Sequence, residues 1–533
     1  MMKIESLYDQ FFETAKRFPN NLAILFERKR ISYKKLNKLI DSAARRLISI
    51  GIRKGDVVTL ALPNSIETVS IFYAISKIGA ISYNIHPLSP VDNVIKMMKE
   101  ANSKFLFVTG KESEDNYGKD IRAFAVNPYE SSSKIKSFVF KMKAKKPTNS
   151  VYFSKIKPFC GVFPKTDVSE NDDAVYLNTG GTDGKPKVVR LSNEAINHIG
   201  KNSYQLIGGP YESIRILTAI PLFHVFGLEM GVHTPLSFGG ASVLMLRFRT
   251  KEAIRHIKKG DSTVILGVPS LYNALLARDS FYGKHLRKQI TAFVGGDNVP
   301  ESLLKRWNAA MRNNGSEAKL YQGYGLTEAG VVAVSTKGHD KNGSIGTELP
   351  GVKIKILDTA TKIEKKNGES GEIAIGGPSL MNGYLTKSEA NEDEFIHIDG
   401  ERYFLTKDYG YCDEDGFNYF RQRIRRIVKI NGETICPSEI EDVVLSLEDV
   451  FDAYCYGVSD ARKGSKLRLL AVKRKGDHPI SDEEAKKAIT EKISSSLPSA
   501  YMPEKIFFID RLPRTPIGKI DVKEIEKRKE FFD

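Results

Sequence analysis

The sequence predicts an α/β protein: a large N-terminal domain of layered α/β sheets with a β subdomain, then a small C-terminal α+β domain. Three observations predict it. Helix-like and strand-like segments alternate from the N-terminus to roughly residue 110 and again between Glu194 and Gly323, the pattern of α/β layers. From roughly residue 345 to 420 the texture changes to short apolar runs broken by Gly368, Gly371, Gly376, Gly377 and Gly383, which predicts the β subdomain. The basic stretch Arg421 to Arg426, RQRIRR, reads as an exposed linker, and the roughly 110 residues beyond it are enough for a small domain. The predicted domains are therefore 1–423 and 424–533.

Size and composition agree. At 533 residues the chain exceeds one compact core and predicts two to four domains or subdomains. A hydrophobic fraction of 41% with 27% charged residues is that of a globular protein. No run approaches the ~18 apolar residues of a membrane span, and the first residues, MMKIESLYDQFFETAKRF, lack a signal-peptide core. Cys160, Cys412, Cys436 and Cys455 have no CxxC spacing, so neither zinc nor a disulfide framework is indicated, and the expected compartment is cytoplasmic. The net charge of +16 favours anionic partners such as nucleotides, coenzyme A or acidic membrane surfaces. Its lysines are spread along the chain, which gives no specific argument for nucleic acid. The one dense cluster is Lys134, Lys136, Lys141, Lys143, Lys145 and Lys146, around Phe138 and Phe140. It reads first as a surface helix or loop with solvated lysines, and second as a weak membrane-surface contact.

In chain order, Leu36, Leu39, Ala43 and Leu47 recur at helical spacing, with Gly51 as the stop. Asp56 to Leu62 predicts a buried strand, Ile66 to Ile78 a helix, and Ala80 to Tyr83 a strand. Residues 111 to 170 are polar and weakly periodic, and are expected to be irregular or inserted. Ala174 to Leu177 is a short strand; Glu194 to Leu206 is helical. Strands follow at Ile216 to Ile220, Ala241 to Leu246, Val264 to Val268, Ala292 to Gly296 and Lys319 to Gly323. The helices between them are Gly227 to Leu236, Leu271 to Leu276 and Ser302 to Met311. Beyond the linker come helices at Pro437 to Leu447 and Asp482 to Leu497 and strands at Asp452 to Val458 and Leu467 to Val472.

The stretch with the most chemistry is Thr179 to Lys187, TGGTDGKPK, directly after a strand. Glycines allow the positive φ and close backbone approach of an N–H nest, and flanking lysines suit phosphate oxygens. It is not the GxxxxGK[ST] loop: Gly180 to Lys185 is one residue too short and Pro186 stands at the Ser/Thr position. Taken alone it is either a phosphate loop of another kind or a strand-to-strand turn.

Four further motifs decide between these. YQGYGLTE (Tyr321 to Glu328), TKD (Thr406 to Asp408), RQRIRRIVKINGETICPSEIE (Arg421 to Glu441) and PRTPIGKID (Pro513 to Asp521) follow in order. With TGGTDGKPK they make the chain, from about residue 8 to 523, resemble the adenylate-forming superfamily of acyl-CoA synthetases, adenylation domains and beetle luciferases. The resemblance implies that a carboxylate attacks the α-phosphate of Mg-ATP to give an acyl-adenylate, and that a thiol, usually coenzyme A, takes the acyl group. It also implies a small C-terminal domain that rotates between these half-reactions.

Residue by residue, the resemblance implies that Thr179, Gly180, Gly181, Thr182, Asp183, Gly184 and Lys187 wrap the triphosphate. Gly295, Gly296 and Asp297 would border the purine, with Tyr324 and Gly325 against the adenine. Thr327 would bond a phosphate oxygen and Glu328 would ligate Mg²⁺. Asp408 would accept from the ribose hydroxyls, and Arg423 would contact the nucleotide. Lys519 would offset negative charge at the α-phosphate. Arg425 occupies the hinge; after rotation Lys429 would face the site and Gly432 would leave room for pantetheine. His224, Val225, Gly227, Val268 and Gly323 would line the acyl pocket.

Amino-acid-activating relatives carry an aspartate at about the position of His224; here the nearest acid is Glu229, out of register. A buried ammonium without a counter-charge is costly, so free amino acids are not expected; Gly227, Val268, Gly295 and Gly323, small or apolar, suit a medium or long-chain fatty acid, with aromatic acids as the alternative. An acyl carrier protein is the alternative acceptor, and a catalytically degenerate nucleotide- or acyl-binding homologue is the rival from another class. Three residues depart from the family pattern: Asp183 for Thr or Ser, Lys407 for the glycine of TGD, and Gln422 for Gly or Asp. Asp183 would either repel the triphosphate or help hold Mg²⁺.

Overall fold

A computed structural model describes every residue except 1–4, 111–115, 145–149, 165, 180–186, 337, 386–392, 431–432, 461–463, 475–479, 515–519 and 533. The large domain holds two mainly parallel sheets. In the first, the strands Leu22–Phe26, Ala241–Leu244, Arg215–Thr218, Val264–Gly267, Thr291–Val294 and Leu320–Leu326 lie side by side and parallel. Antiparallel strands close both edges, Lys29–Ser32 at one and Gly330–Val334 with Thr347–Glu348 at the other. The second sheet repeats the plan, with a parallel run from Asp173–Asn178 through Ile81–Asn84, Val57–Ala61 and Phe105–Val108 to Arg122–Ala125 and Val151–Tyr152. Val188–Ser192 and Gly383–Tyr384 complete it antiparallel.

Alternation along the strands explains why the two sheets stack. Ile216, Val264, Leu266 and Phe293 face one core, whereas Leu217, Ile265, Ala292 and Val294 face another. The second sheet does the same, with Val58, Leu60, Val175 and Leu177 in the shared core and Ala61, Leu106, Val108 and Tyr176 on the far side. Strands buried on both faces read as continuous apolar runs, as this sequence does. The helices Leu7–Arg17, Tyr33–Ser49, Ile66–Lys77 and Asn193–Asn202 lie between the sheets, giving a helix–sheet–helix–sheet–helix stack. Ser6, Ser32, Ser65 and Ser192 cap them by accepting from backbone N–H groups of the first turn.

The β subdomain is an antiparallel sheet of Lys353–Leu357, Gly371–Gly376, Glu401–Cys412, Phe395–Ile398 and Asn418–Arg423. The small domain packs the helices Pro437–Leu445 and Asp482–Ser496 on one face of a sheet of Val450–Asp460, Gly464–Lys473 and Lys505–Phe508.

Three expectations need correction. Residues 111 to 170 are not simply irregular: they carry two strands of the second sheet and the helix Lys134–Lys143. Their strands are short and lie at the sheet's edge, so they leave little periodicity to read. The stretch Arg421 to Arg426 is not an exposed linker either. Its first three residues finish a strand, and Arg426 sends Nη2 to Glu441 Oε1 at 2.5 Å and to the Cys455 carbonyl at 3.2 Å. That clamp fixes the start of the small domain to its first helix and strand. The predicted helix Gly227 to Leu236 exists, but as Val225–Leu228, one π turn at Glu229–His233, and Thr234–Phe238.

Candidate functional site

Thr179, Val268, Gly295, Gly296 and Asp297 follow the carboxyl ends of parallel strands, where open α/β sheets place ligands. The strand Thr291–Val294 ends in Gly295 and Gly296; a Cβ on Gly295 would stand 2.8 Å from the Gly323 carbonyl, so the neighbouring strand passes too close for any side chain. Gly296 takes φ +81°, with Val268 beside it. Asp297 accepts from the Asn298 N–H at 2.9 Å. The strand Leu320–Leu326 continues this edge and turns back at Thr327 and Glu328 into Gly330–Val334. A Cβ on Gly325 would meet the Gly330 carbonyl at 2.4 Å, which explains a glycine at that narrow crossing.

Tyr324, Asp408 and Arg423 form one cluster. Tyr324 donates its hydroxyl to Asp408 Oδ2 at 2.6 Å, and Arg423 Nε stands 2.9 Å from Oδ1. Asp408 and Arg423 are register partners across two antiparallel strands, so the ladder itself sets the pair. Burial pushes the Asp408 carboxyl up to about 6, against the opposing pull of Arg423 and Tyr324. The Tyr324 ring stacks near Phe420, with centroids 6.0 Å apart.

A second cluster lies at the base of the glycine-rich loop. The Thr179 N–H donates to the Lys187 carbonyl at 2.9 Å, and the Lys187 N–H donates to Thr179 Oγ1 at 3.1 Å, closing a hairpin between Asp173–Asn178 and Val188–Ser192. Lys187 Nζ donates to Glu394 Oε1 at 2.8 Å and sits 4.4 Å from the centre of the Tyr384 ring. Tyr384 in turn donates its hydroxyl to Glu328 Oε1 at 2.9 Å. Lys407 shares the same Glu394 oxygen at 2.8 Å. Burial works to raise the Glu394 carboxyl, but the two ammonium groups hold it below its ordinary value. Burial raises the Glu328 carboxyl, against the opposing pulls of the Tyr384 hydroxyl and the Arg423 guanidinium.

Tyr384 and Glu394 were missed by sequence reasoning. Glu394 lies in NEDEF and looks like any solvated acid, and Tyr384 belongs to no motif; only the fold brings them to Lys187 and Glu328. Lys407 has a conformational signature. Its φ of +59° is the left-handed region that glycine adopts freely, which accounts for the glycine of the family's TGD.

The other predicted residues are less closely joined. His224 precedes the helix Val225–Leu228, and its ring lies tilted against Phe223 with centroids 4.6 Å apart, while Phe223 lies tilted against His86 at 4.8 Å. His86 had no motif to announce it. A Cβ on Gly227 would meet the Pro221 carbonyl at 2.3 Å, so the helix start demands glycine there. Gly323 has no comparable backbone clash: its nearest neighbour would be Val334 Cγ2 at 3.4 Å. Glu229 is fully buried, accepts from the Val331 backbone, and is pushed by burial up to about 8. Arg425 lies in the short turn Ile424–Arg426, and Lys429 is exposed on the ribbon Val428–Ile430. Gln422 is buried at the seam, where its Oε1 faces Ser438 Oγ at 3.4 Å, and Asn298 reaches Asp442 at 3.2 Å. Gly180, Gly181, Thr182, Asp183, Gly184, Gly432 and Lys519 lie outside the described residues.

Comparison with known proteins gives consistent relatives. A family model described as AMP-binding enzyme matches residues 11–385, and one described as AMP-binding enzyme C-terminal domain matches residues 439–519. The chain is 28% identical over 533 residues to an oxalate–CoA ligase of Arabidopsis thaliana, covering 97% of this chain and 98% of that protein. It is 27% identical over 531 residues to a long-chain-fatty-acid–CoA ligase of Bacillus subtilis, covering 95% and 92%. It is 26% identical over 537 residues to a 4-coumarate–CoA ligase of Narcissus pseudonarcissus, covering 98% and 93%. Among solved structures, ATP-bound MatB from Rhodopseudomonas palustris superposes with a TM-score of 0.82 at 22% identity, covering 99% and 100%.

Proposed function

The chain belongs to the AMP-binding enzyme family, and from that premise we propose that it is an AMP-forming acid–thiol ligase acting on a carboxylic acid with an apolar acyl group. A carboxylate oxygen of the acid attacks the α-phosphorus of ATP and the bond to pyrophosphate breaks. The sulfur of coenzyme A then attacks the acyl carbon and AMP leaves with the electron pair.

The observation that carries the reading is the buried Asp408, held between Tyr324 and Arg423. A fixed carboxylate there suits two ribose hydroxyls, and the glycine-walled edge at Gly295 and Gly296 suits a purine. Thr179 and Lys187 close the base of the glycine-rich loop, which would hold the β- and γ-phosphates. Among the described residues no group of three or more His, Cys, Asp or Glu side chains could hold a metal ion. A single carboxylate, that of Glu328, fits Mg²⁺ that takes its remaining oxygens from phosphates and water. Release from Glu394 would free the Lys187 ammonium for a phosphate.

For the acid, the relatives named above act on different carboxylates, so an apolar acyl group rests on this chain's own residues. Phe223 packs against the His224 ring, Val225 follows it, Val268 borders Gly296, and Glu229 is buried where its neutral form is favoured. It offers no counter-charge for an ammonium. Aliphatic and aromatic acids both meet these conditions.

The test is thioester synthesis with ATP, Mg²⁺ and a panel of short-chain, long-chain and aromatic acids. Coenzyme A and a phosphopantetheinylated carrier protein serve as acceptors in parallel. Release of AMP with a coenzyme A thioester of an apolar acid is the expected result. A preference for amino acids, or acylation of the carrier alone, would overturn the proposal.

A further inference from the structure

The helix Lys134–Lys143 lies far in function from the site and has an unusual outward face. Its exposed residues include Ile135, Phe138, Val139 and Met142, which are 78%, 65%, 42% and 72% exposed. These positions follow i, i+3, i+4, i+7 spacing, so at 3.6 residues per turn they fall within about 100° of arc. The core side is Ser137 and Phe140, the latter against Tyr129 at 6.2 Å. Lys136 and Lys143 border the apolar stripe on one side and Lys134 and Lys141 on the other. No acidic residue interrupts the helix. An ordinary surface helix turns its charged face outward; this one turns outward a hydrophobic strip between two rows of lysine.

The surroundings extend the same chemistry. A recess of about 550 Å³ opens beside the helix, lined by the helix's Lys136 and by Tyr129, which packs against the helix at Phe140. Its other basic lining residues are Arg247, Arg249, Lys251, Arg255 and Arg278, against two acids, Glu27 and Glu252. Lys136 pairs with Glu27 at 2.6 Å and Arg255 with Glu252 at 3.5 Å, so four positive charges of the recess remain in excess. Apolar side chains at the centre with cations at the border and in an adjoining recess match a bilayer interface, where acyl chains lie beneath anionic headgroups.

We propose that this face docks the protein on an anionic lipid bilayer, with Ile135, Phe138, Val139 and Met142 entering the headgroup–acyl boundary and the lysines and recess arginines meeting phosphates. The charge complementarity favours this partner over a second copy of the chain, because apposing two such faces would bring the lysine rows together.

The experiment is vesicle co-sedimentation of the full chain. Vesicles of phosphatidylcholine alone are compared with vesicles containing phosphatidylglycerol, at low and physiological ionic strength. Binding is expected to the phosphatidylglycerol vesicles and to weaken with salt. Phe138→Asp with Met142→Asp should lower the partition coefficient about tenfold or more. Lys134→Glu with Lys143→Glu should lower it by at least about fivefold for each lysine. Thioester synthesis in solution should be unchanged in both variants, which shows that the fold is intact. Equal binding to both vesicle types, or binding to neither, would overturn the proposal. So would a dimer in sedimentation velocity that Phe138→Asp with Met142→Asp dissolves, since the occupant would then be a second copy.

Discussion

Asp408 is a carboxylate that the fold buries before any ligand arrives. Its elevated value of about 6 makes the ionised form, the one that accepts from ribose hydroxyls, pH-dependent near neutrality. The KM for ATP should therefore fall as pH rises through about 6. Asp408→Asn should abolish that limb and cost about tenfold or more in kcat/KM, since a hydrogen bond to a charged group is lost. A pH–KM profile for the variant identical to that of the parent would contradict the role. Lys407 next to it presents a different balance. Its left-handed backbone costs about 1 kcal/mol, and its half-exposed pairing with Glu394 returns less. Lys407→Gly is expected to raise stability by about 0.5–1 kcal/mol in denaturant titration; a loss would show that the Glu394 pair outweighs the strain. At this scale the sequence singled out Tyr324, Asp408 and Arg423, each within a local motif, and the fold joins the three in one cluster. Glu394 and Tyr384 were not, because their importance comes from neighbours more than 180 residues away, as in the Lys187–Glu394 contact.

Among the elements, the interrupted helix from Val225 to Phe238 has the sharpest consequence. Its π turn carries Glu229 against Gly330 and Val331, the strand that follows Thr327 and Glu328. Below the ordinary value of 4.5 both folded and unfolded chains hold the proton, and the helix keeps its full contribution. As pH rises toward about 8 the unfolded chain ionises freely while the folded one resists, so stability falls across that window. Glu229→Gln should remove this slope and leave a difference on the order of 2 kcal/mol between acid and neutral pH for the parent alone. An unchanged slope in pH-dependent denaturation would contradict burial as its cause. The helix itself was readable from periodicity, but an α turn and a π turn differ by one residue in pairing and leave the apolar pattern nearly alike. The edge strands Arg122–Ala125 and Val151–Tyr152 were hidden for a related reason: four residues and two residues give no period to measure.

Across the whole molecule, the order of the motifs made the two-domain architecture legible, and the sheet plan followed from apolar strands alternating with helices. The arrangement of the small domain was not legible, because it depends on single contacts such as Asn298–Asp442 and Gln422–Ser438 across the seam. The Arg426–Glu441 clamp begins the small domain's own framework, leaving Ile424 and Arg425 as the proposed pivot. A mobile domain offering two faces to one site predicts that Lys519→Ala abolishes adenylate formation from acid and ATP. The same variant should retain most thioester formation from preformed acyl-adenylate, measured by single-turnover mixing; equal loss of both steps would contradict the two-face account. The adenylate itself is the central claim, and acid-dependent ATP–pyrophosphate exchange without any thiol tests it most directly. The account predicts exchange with the same acids that later yield thioesters, together with AMP as the nucleotide product. ADP as the product, or no exchange with an acid that is converted to its thioester, would contradict it.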